Sequence, residues 1–114
     1  MTTRLESYRS KHVALGRELA KVGFVIDGSL IQLSARCGKA NCRCKDNPPH
    51  LHGPYWQWSA KVAGKTVSRR LPDDEADLYR EWIANRRRID EVLAEMKAVS
   101  AKAAEIQLKE LRQK

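Results

Sequence analysis

Three cysteines and one histidine lie close together in the chain and are the side chains best suited to chemistry. Cys37, Cys42 and Cys44 are the three cysteines of the sequence, and His52 follows eight residues after the last of them. Three thiolates and one imidazole are the ligand set of a closed, tetrahedral structural zinc site. The sequence therefore predicts one structural zinc ion that is bound to these four side chains.

The segment between the ligands has a composition that suits metal binding. It is rich in Gly, Asn and Pro, which allows the backbone to fold around an ion. Its basic residues favour the thiolate form that binds a metal, and they are Arg36, Lys39, Arg43 and Lys45. The gaps between the cysteines are four residues and one residue. The short gap is compatible with a shared ion, because residues i and i+2 of an extended backbone point to the same side.

Two alternatives at this site stay open at the level of the sequence. His50 competes with His52 for the fourth position, and we favour His52 because Gly53 and Pro54 fix the chain directly after it. The alternative to a metal site is a set of free cysteines in a cytosolic protein. A disulfide framework is less favoured, since the number of cysteines is odd and residues 1–6 lack the apolar segment of a secretory signal. We therefore expect a cytoplasmic protein.

The same residues carry a resemblance to a family of small bacterial proteins that have no assigned activity. The similar segments are Cys37-Gly38-x-x-x-Cys42-x-Cys44, His52-Gly53-Pro54-Tyr55-Trp56, Gly64-Lys65-Thr66 and Leu71-Pro72. The resemblance covers about residues 28–100 and leaves out the N-terminal helix. It implies a metal site at the three cysteines and His52, a basic hairpin and a long C-terminal helix, and it suggests a location among mobile-element genes.

The composition indicates one small basic domain. The chain has 114 residues and a net charge of +8, and no apolar run approaches the roughly 20 residues that span a bilayer. Residues 28–72 carry eight Lys and Arg against one acid, Asp46, whereas residues 73–114 carry nine against ten. The positive charge is thus concentrated on the cysteine segment and the residues after it. This predicts binding to nucleic acid, DNA or RNA, with little sequence preference, and no membrane partner.

The order of elements predicts an α+β fold in a single domain, residues 1–114. Apolar residues spaced by three and four predict an N-terminal helix within residues 1–23 and a long helix over residues 73–114. Pro72 and the acids after it mark the start of the long helix. Between the helices, residues 28–72 hold the zinc loop and a basic antiparallel sheet of about three strands, which are predicted at residues 29–36, 54–62 and 65–71.

Two of these strands form a hairpin around Ala63 and Gly64. In the simplest register the opposite residues are Trp56 and Leu71, Trp58 and Arg69, Ala60 and Val67, Gln57 and Arg70, and Ser59 and Ser68. We expect at least one of the two tryptophans to lie in the core between the sheet and the long helix, with Trp82 against it. Tyr55 is the aromatic residue expected to be exposed, where it can stack on an unpaired base.

The apolar stripe of the long helix extends beyond what a small sheet can cover. A helix over residues 73–114 would reach about 60 Å, so the stripe needs the N-terminal helix, a second copy of the chain or another protein as its partner. We expect a helical hairpin or a coiled coil, or a homodimer, through the following residues: Leu5, Leu15, Leu19, Ile89, Leu93 and Met96.

These observations favour a small zinc-stabilised nucleic-acid-binding protein, an accessory or regulatory factor of a mobile element or a phage-related system. Its predicted contacts are Arg36, Lys39, Arg43, Lys45, Tyr55, Lys61, Lys65, Arg69 and Arg70. The alternative is a protein–protein adaptor or assembly factor that uses its helices and in which zinc is purely structural. An enzyme is not expected, because four ligands close the metal site and Asp46 is the one acid near it.

Overall fold

A computed structural model describes residues 3–35, 37–47 and 50–113, and for Ala35 it describes the backbone. Two helices, three strands and one short 3₁₀ turn follow each other along the chain. They are α1 (Arg4–Lys21), β1 (Ser29–Ala35), the 3₁₀ turn (Arg43–Lys45), β2 (His52–Val62), β3 (Lys65–Leu71) and α2 (Asp73–Arg112). The predicted α+β class and the order of its elements are confirmed. None of the helices in the described ranges has both the length and the apolar character needed to cross a membrane.

The chain divides into two compact units. One unit contains Met1–Phe24 and Ala84–Lys114, and we call it the helical unit. The other contains Val25–Ile83, and we call it the sheet unit. The single domain expected from the chain length stays a prediction.

The β2–β3 hairpin has the predicted register. All five expected pairs are present: Trp56 and Leu71, Trp58 and Arg69, Ala60 and Val67, Gln57 and Arg70, and Ser59 and Ser68. The chain turns at Ala63 and Gly64, whose φ angles are 52° and 81°. Two-residue turns with positive φ at both positions match the twist of the strands that they join, so this turn determines which residues of the hairpin lie opposite each other.

β1 pairs antiparallel with β2 and completes a sheet of three strands in the order β1-β2-β3. Ile31 lies opposite Gln57 and Leu33 opposite Tyr55, with an irregular step between Leu33 and Ala35. Opposite residues of paired strands share a face of the sheet. One face, which we call the outer face, therefore carries Ile31, Leu33, Tyr55, Gln57, Ser59, Lys61, Thr66, Ser68 and Arg70.

The opposite face of the sheet packs against the first turns of α2 within the sheet unit. Leu71, Ala76 and Ile83 are buried there. The ring centroid of Trp58 lies 5.4 Å from that of Tyr79, and Tyr79 in turn contacts Trp82 at 5.3 Å. Trp58 thus packs between sheet and helix as expected, although Tyr79 rather than Trp82 is its direct partner.

The helical unit pairs α1 with the second part of α2 in an antiparallel hairpin. α1 begins with a capping box, in which Thr3 accepts from the backbone of Glu6 and the Glu6 side chain accepts from Thr3. Arg88, early in this part of α2, bonds to Glu18, late in α1, at 2.5 Å. The core of the unit contains Leu15, Val92 and Val99, with Tyr8, Leu19 and Met96 packed against it.

One residue of the predicted helical seam, Leu93, is not buried within the pair of helices; its predicted role in self-association stays a prediction. Leu93 is 42% exposed, whereas its neighbour Val92 is completely buried. The three-and-four spacing reaches Leu93, but Val92 is the residue that lies in the core, whereas Met96 packs against that core as expected. Both positions are apolar, so the sequence alone permitted either choice.

Candidate metal centre

The side chains of Cys37, Cys42, Cys44 and His52 come together at one end of the sheet. Their ligand atoms all lie within 4.8 Å of one another, so the cluster could hold a metal ion. Cys44 is completely buried, Cys37 and Cys42 are half-buried, and His52 is exposed. The structure thus groups the four residues that the sequence predicts as ligands.

The paired ends of β1 and β2 explain why residues so far apart in the chain meet. His52 is the first residue of β2 and lies opposite Ala35, the last residue of β1. Along the chain, one residue separates Ala35 from Cys37. Cys42 precedes the 3₁₀ turn and Cys44 lies inside it, so the turn brings these two thiols back towards the end of the sheet. The cysteine loop, residues 36–51, is therefore closed by strand pairing at its base.

The separation of two of the donor atoms matches that in a tetrahedral zinc site. A zinc–sulfur bond of about 2.3 Å places two sulfurs of a tetrahedron about 3.8 Å apart. The Sγ atoms of Cys37 and Cys44 are 3.7 Å apart. The Sγ of Cys42 lies 3.0 Å from Nε2 of His52, which orients that ring nitrogen towards the thiols. Nitrogen and sulfur donors in this number are the preferred ligands of zinc.

Hydrogen bonds within the cysteine loop support the donors. The backbone N–H of Cys37 donates to Sγ of Cys44 at 3.2 Å, an interaction that stabilises negative charge on sulfur. The ammonium group of Lys45 donates to the carbonyl oxygen of Cys37. The backbone N–H of His50 donates to the carbonyl oxygen of Arg43 at 3.1 Å. The imidazole of His50 is not part of the cluster, so His52 is the histidine that joins the cysteines.

Gly53 holds the chain in position directly after the histidine donor. Its φ is 106°, a backbone conformation that side chains with a Cβ rarely adopt. A Cβ at this position would lie 2.7 Å from the carbonyl oxygen of Leu33 and 3.2 Å from Cδ1 of Tyr55. The absence of a side chain therefore lets β2 approach β1 closely between His52 and Tyr55.

Each predicted nucleic-acid contact that is a described lysine or arginine has an exposed side chain. Together with Tyr55, these residues occupy three surfaces. Arg36 lies outside the described residues. The cysteine loop carries Lys39, Arg43 and Lys45; the outer face of the sheet carries Lys61, Arg70 and the half-buried Tyr55; the opposite face carries Lys65 and Arg69. The predicted set is therefore distributed around the sheet unit and does not form one flat patch.

Ion pairing distinguishes these cations from three arginines of the helices, Arg80, Arg86 and Arg88. Within the described ranges, the side chains of Lys39, Arg43, Lys45, Lys61, Lys65, Arg69 and Arg70 form no ion pair with an acid. The described ion pairs lie on α1 and α2: Arg80 with Asp77, Arg86 with Asp90, and Arg88 with Glu18 and Glu91. The positive charge of the cysteine loop and the strands is thus available to an external anion.

The outer face of the sheet has features that sequence reasoning missed. The guanidinium carbon of Arg70 lies 3.8 Å from the ring centroid of Tyr55. The hydroxyls of Ser59 and Ser68 are 3.0 Å apart, and Ile31 is 46% exposed. The hairpin register already placed Gln57 opposite Arg70, and this was the signal that could have identified its amide as part of the same surface.

Comparison with known proteins assigns the chain to a family without assigning an activity. The family model described as Domain of unknown function (DUF6788) matches residues 4–81. The chain belongs to this family. The matched range includes α1, all three strands and all four donors, and it ends within α2, so its bounds differ from those of the resemblance noted above. Neither the curated proteins nor the solved structures contain a match.

Proposed function

We propose that the protein binds nucleic acid through its sheet unit and that one structural zinc ion holds the cysteine loop. The observation that carries the proposal is the exposed lysine and arginine side chains of the cysteine loop and the strands, none of which forms a described ion pair. Lys and Arg that lack an acidic partner bind phosphates without reading sequence. A role beside mobile-element enzymes in bacteria belongs to the same proposal and rests on the resemblance of the cysteine and histidine segments.

The zinc ion has a structural role in this proposal. Four donors complete a tetrahedron, so no position is left for a water molecule that would act as a nucleophile. Elemental analysis of the purified protein should find one zinc per chain. A folded protein that contains no metal would reject this part of the proposal, while nucleic-acid binding would remain to be tested separately.

Salt dependence is the direct test of nucleic-acid binding. Fluorescence anisotropy with labelled duplex DNA should show log affinity falling linearly with log salt concentration, with a slope of about −4 to −5 if roughly five phosphates are neutralised. Single-stranded DNA and RNA should also bind. Failure to bind any of the three below about 100 μM, the weak end of non-specific affinity, would reject the proposed function.

A matched pair of double variants localises the contact. Lys61→Gln with Lys65→Gln removes two exposed charges beside the hairpin turn, and the slope should become about two units shallower. Lys97→Gln with Lys109→Gln removes two exposed lysines from α2. This control should leave the slope unchanged. Equal effects of the two double variants would show that the overall charge, and not the sheet unit, determines binding.

The second candidate function is that of a protein–protein adaptor that associates with a second copy of itself. Exposed apolar residues of the helical unit favour this candidate. Val13 is 52% exposed, Leu108 47% and Leu111 66%. If a second copy covers this surface, Val13→Asp should lower the molar mass measured by light scattering. Val62 has the same exposure, 52%, in the sheet unit, so Val62→Asp is the matched control. A monomeric parent protein would reject the homodimer.

A further inference from the structure

The outer face of the sheet combines stacking groups, hydrogen-bonding groups and positive charge, and it has no acid. None of β1, β2 and β3 contains Asp or Glu. Arg70 and Lys61 supply the charge on this face, and both are exposed. Gln57 and the Ser59–Ser68 pair supply amide and hydroxyl groups between them. A polar, positively charged surface of this kind complements an anion that also carries planar, hydrogen-bonding rings.

Arg70 occupies a defined position on this face. It lies opposite Gln57 in the register and diagonally across from Tyr55, a separation that long side chains bridge. Its guanidinium carbon lies over the Tyr55 ring, 3.8 Å from the centroid. The tyrosine thereby limits the rotation of a side chain that is otherwise flexible, and the Arg70 side chain remains exposed. The sequence-based expectation that a base stacks directly on Tyr55 stays a prediction, and Arg70 occupies one face of that ring.

We propose that Arg70, supported by Tyr55, stacks on an unpaired base, so that the outer face of the sheet selects single-stranded over double-stranded nucleic acid. The inference rests on the proposed function and deepens it, since it names the form of nucleic acid that binds. The amide of Gln57, beside the stack, donates to or accepts from the edge of that base. The charges of Arg70 and Lys61 lie about 13 Å apart along the strands and bind the adjoining phosphates.

The selectivity follows from access to the face of a base. In a duplex both faces of an internal base are covered by its neighbours, so a guanidinium plane has nothing to stack on. In a single strand the faces are open, and stacking on aromatic or arginine planes adds to phosphate binding. Phosphate contacts from the cysteine loop and the opposite face of the sheet do not distinguish the two forms. The outer face therefore determines the preference, and the remaining cations determine the general affinity.

Arg80 provides a matched control in the same unit. Its guanidinium carbon lies 4.8 Å from the ring centroid of Trp56, so it is also an arginine beside an aromatic ring. It lies on the helix side of the sheet and forms an ion pair with Asp77 at 2.6 Å. Lysine retains the charge of arginine but not the planar group that stacks. Arg70→Lys and Arg80→Lys therefore make the same chemical change at two positions, of which one is proposed to touch a base.

The experiment measures three labelled probes of equal length by fluorescence anisotropy: a single-stranded oligothymidine, a mixed duplex, and a single strand that contains abasic sites in place of its bases. An oligouridine arm distinguishes RNA from DNA as the source of the base. The parent protein should bind oligothymidine at least about fivefold more tightly than the abasic strand, which retains the phosphates but offers no stacking face. Arg70→Lys should lose this preference, and its affinity for oligothymidine should fall by more than its affinity for the duplex, because lysine retains the charge. Arg80→Lys should retain it.

Three results would overturn the inference while leaving the proposed function intact. They are equal binding of the base-containing and abasic strands by the parent protein, a parent protein that prefers the duplex, and equal effects of Arg70→Lys and Arg80→Lys on all probes. Zinc content measured on each variant reports whether the fold is retained. The comparison between oligothymidine and the abasic strand uses the parent protein alone, so it decides the question even if a variant misfolds. Binding to no probe would reject the proposed function itself.

Discussion

Two arginines of the helical unit differ from the cations of the cysteine loop and the strands in the partners that they contact. In the helical unit, Arg88 bonds to Glu91 and Glu18, and these contacts raise the pKa of Arg88 above its usual value. Arg86 bonds to Asp90. In the sheet unit, by contrast, the described cations of the cysteine loop and the strands have no acidic partner. The net charge of a chain therefore does not reveal which charges a ligand can reach, because ion pairing satisfies some of them inside the protein.

The two units also differ in what holds them together. The helical unit has an apolar seam around Leu15, Val92 and Val99. The sheet unit buries Leu71, Ala76 and Ile83 against one face, but in the described part of the cysteine loop Cys44 is the one buried residue. Under the proposed zinc binding, a loop with so little burial gains its order from the ion, since binding and folding of such sites are coupled.

The largest effect should come from loss of the histidine donor. His52→Ala removes one of four ligands and should weaken metal affinity more than about 100-fold, which exceeds the effect of changing a supporting residue. His50→Ala is the control, because this exposed histidine lies outside the cluster. Metal content after dialysis against a chelator is the measurement. Equal metal loss in the two variants would contradict the assignment of His52.

The next largest effect should come from the core of the sheet unit. Leu71→Ala should lower the free energy of unfolding by about 2–5 kcal/mol, because it leaves a cavity against α2. Leu78, which is 48% exposed in the same unit, is the control, and Leu78→Ala should have a much smaller effect. Urea denaturation of the zinc-loaded protein measures both. Similar values for the two leucines would mean that the sheet face is not packed as described.

A smaller effect is expected where the sheet and the metal centre meet. Gly53→Ala places a Cβ against Leu33 and forces an unfavourable φ, at a cost of about 1–3 kcal/mol. Because His52 is the preceding residue, metal affinity should also fall about 10- to 100-fold. Gly38→Ala changes a glycine of the cysteine loop that has open space around it. It should lower neither the stability of the protein nor its metal affinity. Zinc titration with a competing chelator compares the two, and unaltered affinity in Gly53→Ala would separate the metal centre from the sheet.

The smallest effect should come from the paired arginine of the helical unit. Arg88→Ala breaks exposed ion pairs, whose contribution to stability is small, so the melting temperature should fall slightly. Nucleic-acid affinity should not change, because this charge is already neutralised by acids. A loss of affinity as large as that of Lys61→Gln with Lys65→Gln would remove the distinction between the two units.

The residues of the metal centre and the register of the hairpin could be predicted from the sequence for local reasons. Cysteine and histidine are the zinc ligands of proteins, and few occur in this chain. A two-residue turn between two strands fixes their register, so recognising the turn places Trp56 opposite Leu71. The choice of His52 over His50 also followed from its place before Gly53, at the start of a strand.

One position of the seam of α2 could not be predicted, because Val92 and Leu93 are equally apolar and the helix changes partners along its length. Propensity and spacing describe one helix, whereas the buried position depends on where the partner lies. The same holds for β1, whose alternation shows that Ile31 and Leu33 share a face but not that this face is the outer one. The alternation of residues along a strand does not indicate which face of the sheet the helix covers.

The sequence by itself determined the elements, the donor set and the excess of positive charge in residues 28–72, since these depend on residue type and on spacing along the chain. The tertiary structure decided which charges are available and which aromatic rings are covered. Arg86 and Arg88 form ion pairs with acids, and Arg70 contacts the ring of Tyr55. Lys61 forms neither kind of contact with the described residues. Electrostatic attraction and stacking act through space over a few ångströms, so their partners are set by packing and not by sequence separation.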